Sequence, residues 1–341
     1  MHKCAKLTQN RKFWGMIPTS MDEDRQELLA QVASLYFEDE LTQEQISARL
    51  GYSRSSVSRM LSAARRQGIV EIYVRHPLER LPALEQRLQS RFCLEDVRVL
   101  HSQGLAYNLV LQRLGALGAR LLEQAIHERS ILGISWGTAL YEVVNALRPL
   151  NYPGVKVVQM IGSTTWRDHE VDGPGLARAF ARQFDGQYYT LPAPWLVSDR
   201  SARDALLQDR RMREALDLAA RADIALVGIG SIDPTLSSLV RAGYLNTDQV
   251  RELQALGAVG DVCGHHFDIQ GNLMDISLAG YALGIAAETL GAIPLVIAVA
   301  GGAVKAPAIL GALRSRLVRA LVTDDTAARE VLEMDASPPS G

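Results

Sequence analysis

Four residues near the front of the chain, Arg54, Ser55, Ser56 and Arg59, are of types that read nucleic acid. An arginine forks onto guanine or a phosphate, and a serine hydroxyl serves base edges or the backbone. Further on, three turns set glycine beside hydroxyls: Ser135-Trp136-Gly137-Thr138, Gly162-Ser163-Thr164-Thr165 and Gly228-Ile229-Gly230-Ser231. Such turns let backbone amides approach an anion or a sugar hydroxyl at a helix start, although glycine also serves turn geometry alone. A fourth stretch, Gly260 to Gly271, holds Asp261, Cys263, His265, His266 and Asp268 and reads as a polar loop able to orient a polyhydroxylated ligand. Lys305, just past Gly301-Gly302, stands where a lysine meets a phosphate or a sugar oxygen. Cys263, His265, His266 and Asp268 are also metal-ligand types, but close neighbours seldom complete a tetrahedral site, and no metal or other cofactor is expected.

The elements that must carry these residues follow from spacing. Thr42 and Gln45 form a capping box ahead of a short helix with Ile46 and Leu50 on its buried face. Gly51 turns the chain and Ser53 caps a second helix. There Val57, Met60, Leu61 and Ala64 keep one apolar stripe, which leaves Arg54, Ser55, Ser56 and Arg59 facing outward. That is the layout of a helix-turn-helix whose second helix enters the major groove, with Thr42 and Gln43 joining the DNA-facing set. Gly68 ends the helix, and Ile69 to Val74 alternates as the strand of a wing. From Arg49 to Arg75 six arginines stand against a single acid, Glu71, an excess that supplies the salt-dependent attraction to phosphate.

Upstream, Leu28, Leu29, Val32, Leu35 and Tyr36 predict a helix opening near Asp22, and residues 1–21 read as a flexible tail. A winged helix-turn-helix is therefore expected over 22–76. Leu78, Leu81, Leu84, Leu88 and Phe92 predict a linker helix over 77–95 that either assists dimerisation or packs on its own domain. From 96 to 335 short apolar runs (VRVL, ILGIS, VKVVQMIG, IALVGIG, PLVIAVAGG, ALVTDD) alternate with helical stretches. Strands buried on both faces and separated by helices make a doubly wound α/β domain, with ligands at the carboxyl ends of its mostly parallel strands. Asp324 and Asp325 are expected to cap the last helix.

With 341 residues there is chain enough for two or more domains. A net charge of -2 argues against general coating of nucleic acid, so any contact with DNA must be local. Cys4, Cys93 and Cys263 lack paired spacing, the N-terminus lacks the apolar core of a signal peptide, and no apolar run reaches membrane-spanning length. A cytoplasmic location is expected.

The motifs, in their order, resemble the SorC family of bacterial transcriptional regulators, the sugar-binding group among DeoR-like proteins. The resemblance runs from about Leu28 to Leu332 and rests on LTQEQISARLGYSRSSVSRMLSAARRQGIVEI, GISWGTAL, VVQMIGS, LPAPWLVSD, ALVGIGS, GAVGDVCGHHFD and AVAGG. It implies a winged helix-turn-helix joined to an effector domain with the fold of sugar-phosphate isomerases but without catalysis. It also implies a homotetramer, a dimer of dimers, that leaves or rearranges on double-stranded operator DNA when a carbohydrate effector (a sugar, polyol or sugar phosphate) binds. Carried onto matching positions, it implies that Ser135, Gly137 and Thr138 line the anion or hydroxyl side of the pocket beside Gly162 and Ser163. Asp261 would accept bonds from hydroxyls, and Lys305 would face the ligand from the opposite strand end. Where many relatives carry an aromatic pair or Arg-Phe, this chain has His265-His266-Phe267, which adds His266 to the candidate pocket and points to another ligand preference. No arginine stands beside Gly162, so a free polyol is as open as a phosphate. The rival assignment is a sugar-phosphate isomerase or deaminase with Asp261, His265 or His266 as acid or base and the helical front end serving assembly.

Overall fold

The computed structural model describes residues 20–70, 78–102, 104–163, 171–276 and 281–337, with side chains from residue 25 onward. It divides into two compact units, Met1–Val74 and Arg75–Gly341.

In the first unit α1 (Ser20–Phe37), α2 (Gln43–Leu50) and α3 (Arg54–Arg66) close around Val32, Leu35, Ile46, Val57 and Leu61. Ile46 and Val57 are fully buried, and each such side chain contributes about 1.5–3 kcal/mol by leaving water. The capping box is formed: the Gln45 side chain accepts from the Thr42 amide at 2.9 Å, and Thr42 Oγ1 accepts from the Gln45 amide at 3.3 Å. Gly51 ends α2 with φ 74°, a left-handed turn that a β-carbon would strain. Ser53 then caps α3 by accepting from the Ser56 amide at 3.2 Å. The strand expected from Ile69 lies, from residue 71 on, outside the described residues, as does the tail up to residue 19.

The second unit begins with α4 (Pro82–Phe92), β1 (Asp96–Leu100), α5 (Tyr107–Ala125), β2 (Ile131–Ile134), α6 (Thr138–Ala146), β3 (Lys156–Gln159), α7 (Gly173–Phe184) and β4 (Gln187–Tyr189). It continues through α8 (Arg200–Gln208), α9 (Arg210–Ala219), β5 (Ile224–Gly228), β6 (Gly230–Ser231), α10 (Ser238–Arg241), α11 (Thr247–Ala255), β7 (Ala258–Val262) and β8 (His265–Asp268). It closes with α12 (Ala287–Ala292), β9 (Leu295–Val299), α13 (Ala306–Arg314), β10 (Ala320–Asp324) and α14 (Asp325–Ala336). Among the described residues the main sheet has seven strands in the order β1-β10-β9-β5-β2-β3-β4, each pair parallel. Helices α5, α6 and α7 cover one face with Leu132, Ile134 and Leu226, while α4, α9, α13 and α14 cover the other with Val99, Val227 and Leu321. This is a doubly wound α/β fold.

From β2 the chain steps outward to β3 and β4, then returns to lay β5 on the other side of β2. The order reverses between β2 and β5, and the crevice beyond such a reversal is where open α/β sheets bind ligands.

Four features depart from the sequence expectations. The stretch from Gly260 is not a loop: β7 and β8 pair antiparallel, with Asp261 opposite His266, and β6 joins them in a three-stranded sheet. Strand β4 at the sheet edge was not foreseen, because QYY is half exposed and carries no apolar run. Asp324 occupies the cap position of α14 without capping it by its side chain; its carboxylate instead accepts from the Gly302 amide at 2.7 Å and from Ser102 Oγ at 3.2 Å. Finally, α4 starts at Pro82, because Arg80 is engaged in a bridge to Leu100 and forks onto Glu85 at 2.7 Å. Leu84 and Leu88 bury into the core of their own unit.

Candidate functional site

The crevice between β2 and β5 is a cleft enclosing about 640 Å³, part of it open to solvent. Ser135, Trp136, Gly137 and Thr138 form one wall as the chain leaves β2 and starts α6. Gly137 holds φ 127°, and among the described residues no side chain caps the helix behind it, which leaves the first-turn amides of α6 open to a ligand. An anion there satisfies those amides and the positive end of the helix together. The end of β5 adds Gly228 and Ile229, and the start of β6 adds Gly230.

Asp261 enters from β7 with its carboxylate against Gly230. A β-carbon on Gly230 would come within 1.9 Å of Asp261 Oδ1, so only glycine admits the carboxylate at this place. Asp261 Oδ2 accepts from the Gly264 amide at 3.0 Å. Lys305 reaches in from the turn after β9 and donates from Nζ to the Ile229 carbonyl at 2.8 Å. Burial pulls its amine down from 10.5 to about 8, opposed by the charge of Asp261 and assisted by that of Arg241. At neutral pH the amine is still mostly a cation. Trp136 and Trp195 meet edge to face at 6.4 Å and give the cleft an apolar flank.

Of the eight candidate pocket residues, Ser135, Gly137, Thr138, Asp261 and Lys305 line this cleft together. Gly162 and Ser163 stand behind it. The Gly162 carbonyl accepts from Trp136 Nε1 at 3.2 Å, and the Ser163 carbonyl accepts from the Tyr244 hydroxyl at 2.5 Å, which in turn accepts from the Trp195 amide. The pair thus braces both tryptophans. His266 lines a separate cavity with His265; its Nδ1 donates to the Gly264 carbonyl at 3.1 Å, and burial holds both imidazoles below their usual range, hence neutral.

Two contributors to the cleft were not among the expected site residues. Trp195 lies within the LPAPWLVSD motif, to which no ligand role was given, and Arg241 sits on the short helix α10 outside every motif. The signal for Arg241 was its solitude: it is the one basic residue between Arg221 and Arg251. Cys263 also lines the cleft, but burial pushes its thiol far up and leaves it inert. Among the described residues no group of three or more His, Cys, Asp or Glu side chains converges as a metal site.

On the first unit, α3 buries Val57, Leu61 and Ala64 and turns Arg54, Ser55 and Arg59 to solvent, with Ser56 half-buried. Arg59 lies along the helix, donating to the Ser55 carbonyl at 3.4 Å and to Ser56 Oγ at 3.3 Å. These long bonds are readily exchanged for a base or a phosphate. Ser58 and Ser62, also exposed, extend the hydroxyl face beyond the expected residues. Thr42 is exposed and Gln43 half-buried at the start of α2.

The Sugar-bind family model matches residues 76–333, and the Crp-like helix-turn-helix domain model matches 22–87. The deoxyribonucleoside regulator of Bacillus subtilis is 30% identical over 313 residues, which cover 92% of this chain and 99% of that protein. The transcriptional regulator LsrR of an Enterobacter species is 31% identical over 332 residues, covering 96% and 98%. The crystal structure of the full-length sorbitol operon regulator SorC from Klebsiella pneumoniae superposes with a TM-score of 0.71 at 30% identity, covering 90% of this chain and 98% of that one. No helix among the described residues is long and apolar enough to cross a membrane. With a helix-turn-helix ahead of a Sugar-bind domain that spans most of its length, this chain belongs to the SorC family of DNA-binding transcriptional regulators.

Proposed function

We propose that this regulator acts in the cytoplasm on an operon for carbohydrate uptake or breakdown, and that its signal is a phosphorylated sugar or polyol bound in the β2–β5 cleft. One observation carries the phosphate: the uncapped start of α6 shares the cleft with Lys305 and Arg241. Two cations and open amides suit a dianion. Asp261, opposed to them, accepts hydrogens from hydroxyls and repels a second anionic group. The names of the relatives, a sorbitol operon regulator and a deoxyribonucleoside regulator among them, support the carbohydrate class.

The chain does not turn its ligand over in this reading. Asp261 is engaged by the Gly264 amide, and neither His265 nor His266 lines the cleft to serve as its partner in acid-base work. The effector needs only to prefer one quaternary arrangement: a difference of about 1–3 kcal/mol per site shifts DNA occupancy several-fold or more. A homotetramer, as the family resemblance implies, would offer paired copies of Arg54, Ser55, Ser56 and Arg59 to half-sites a helical turn or a multiple apart, with Thr42 and Gln43 beside the backbone.

The test is operator binding by fluorescence anisotropy, titrated with sugars, polyols and their phosphates. A phosphorylated ligand should change operator affinity, its dephosphorylated form should act far more weakly, and Lys305→Met should lose the response while keeping DNA binding. Equal potency of the free and phosphorylated forms would remove the phosphate from the cleft; turnover of the ligand would overturn the regulatory reading.

A further inference from the structure

The carboxyl ends of β1 and β10 lie side by side, with Leu100 paired to Asp324. Around them Ser102, Asp324 and Asp325 are all buried. Two carboxylates in one buried place carry a cost that hydrogen-bond donors must offset. Those donors are few, and one is shared. Asp324 Oδ1 accepts from the Gly302 amide at 2.7 Å, and its Oδ2 accepts from Thr326 Oγ1 at 2.5 Å. Asp325 Oδ1 accepts from the Ser102 amide at 2.9 Å. Between the two carboxylates stands the Ser102 hydroxyl, 2.6 Å from Asp325 Oδ1 and 3.2 Å from Asp324 Oδ2. Its one hydrogen leans to the nearer oxygen, on Asp325, and passes wholly to Asp324 only by leaving Asp325.

Each side of this shared hydrogen is tied to a different part of the unit. On the Asp324 side is the turn into the cleft. Gly302 holds φ 92° and leads to Lys305, whose Nζ donates to the Ile229 carbonyl. A β-carbon at Gly301 would come within 2.9 Å of Asp324 Oδ1, so turn and carboxylate are packed closely enough that neither shifts alone. On the Asp325 side is His101. Its Nδ1 lies 3.6 Å from Asp325 Oδ2, and its amide donates to the Glu79 carbonyl at 2.8 Å. Residues 79–81 run along the edge of β1, where the Leu81 amide donates to the Val99 carbonyl at 3.0 Å and Arg80 bridges to Leu100. Through this edge segment the chain enters the sheet of the second unit, which begins at Arg75.

We infer that Asp324, Ser102 and Asp325 form a two-position relay that carries occupancy of the effector cleft to residues 79–81, where the chain arrives from the DNA-binding unit. These three are positioning residues: they act on the ligand's partner Lys305 and not on the ligand. The inference rests on the reading of the cleft as the effector site. An anion that draws Lys305 from the Ile229 carbonyl shifts the Gly302 turn and takes its amide from Asp324. Asp324 is then short of a donor, the Ser102 hydrogen goes over to it, and Asp325 loses its shortest bond. His101 and its bond to Glu79 move with that loss. A ligand that prefers one of the two arrangements shifts the edge segment by its difference in affinity for them.

The experiment is hydrogen exchange followed by mass spectrometry on the full-length protein, read on the peptides that hold the His101 and Leu81 amides, with Lys305→Met as the change made in the cleft. That substitution removes the bond to the Ile229 carbonyl and should alter exchange of these amides about fivefold or more in the otherwise wild-type protein. In Ser102→Ala the same change should have no effect there, and in Ser102→Thr, which keeps a hydroxyl, the effect should return. Thr326→Val removes a donor from Asp324 that lies off the relay, so it should leave the response intact. No response to Lys305→Met in the otherwise wild-type protein would overturn the relay, as would an undiminished response in Ser102→Ala or an equal loss in Thr326→Val. None of these measurements uses an effector, so failure of the relay is distinct from failure of the cleft as effector site, which the operator titration decides.

Discussion

The candidate DNA-reading face and the candidate effector cleft are assembled in opposite ways. On α3 the candidate contacts fall within six positions of one helix, held outward by the burial of Val57 and Leu61 behind them. The cleft gathers its side chains from the ends of β2, β5, β7 and β9 and from α10, so that Ser135 and Lys305, 170 positions apart, come to line one cleft. The first surface depends on one small core of its own. The second depends on the register of a whole sheet and on glycines such as Gly230 that make room for a neighbour.

This contrast can be broken or sharpened. The largest effect should come from Ile46→Ala, which removes a fully buried side chain from the small core and should cost that unit about 2–5 kcal/mol. Calorimetry should show its transition lowered while effector binding to the other unit persists. Joint loss of both would show that the two surfaces are not independently built. Next, Arg59→Ala should weaken operator binding by about 1–3 kcal/mol with the melting temperature unchanged, the loss expected for one good base contact. An unchanged affinity at physiological salt would take Arg59 out of the interface.

Smaller is Thr42→Ala, about 1 kcal/mol of stability from the lost capping box. Measured where the unit remains folded, it separates cap from contact: operator affinity equal to wild type would make Thr42 a cap only. The smallest effect is a pH dependence. The folded amine of Lys305 titrates near 8 and the free one at 10.5, so the strain of burying its charge is present below about 8 and is relieved as pH rises from 8 towards 10.5. Affinity for an anionic effector should accordingly fall several-fold as pH rises from 7 through 8 to 9, and the fall should be absent in Lys305→Met. A parallel fall in both proteins would assign it to another group.

The helix-turn-helix was legible because its signals are local: Thr42, Gly51 and Ser53 each do their work within a few residues of where they stand. The parallel strands were legible for a different reason. Val157 and Val158, buried on opposite faces, leave an unbroken apolar run. Where a strand lacks that burial the signal fades, as in Gln187–Tyr189 at the edge; the β7–β8 hairpin is buried, but Gly260, Asp261, His265 and His266 interrupt its apolar run. For the cleft, residues at strand ends followed from the fold. Gly162 and Ser163 stand at a strand end yet turn their bonds to the tryptophans, and Arg241 enters from a four-residue helix that no periodicity announces.

Asp324 is not among the residues that line the cleft, yet its carboxylate holds the Gly302 amide, and Gly302 opens the turn that leads to Lys305. Over evolutionary time that arrangement separates sensitivity from specificity. A lineage under selection for a duller or keener sensor can keep every ligand-contacting side chain and substitute at position 324, shifting the threshold of response while the signal recognised stays the same. Comparing only the pocket residues of two such descendants would miss the change that set them apart.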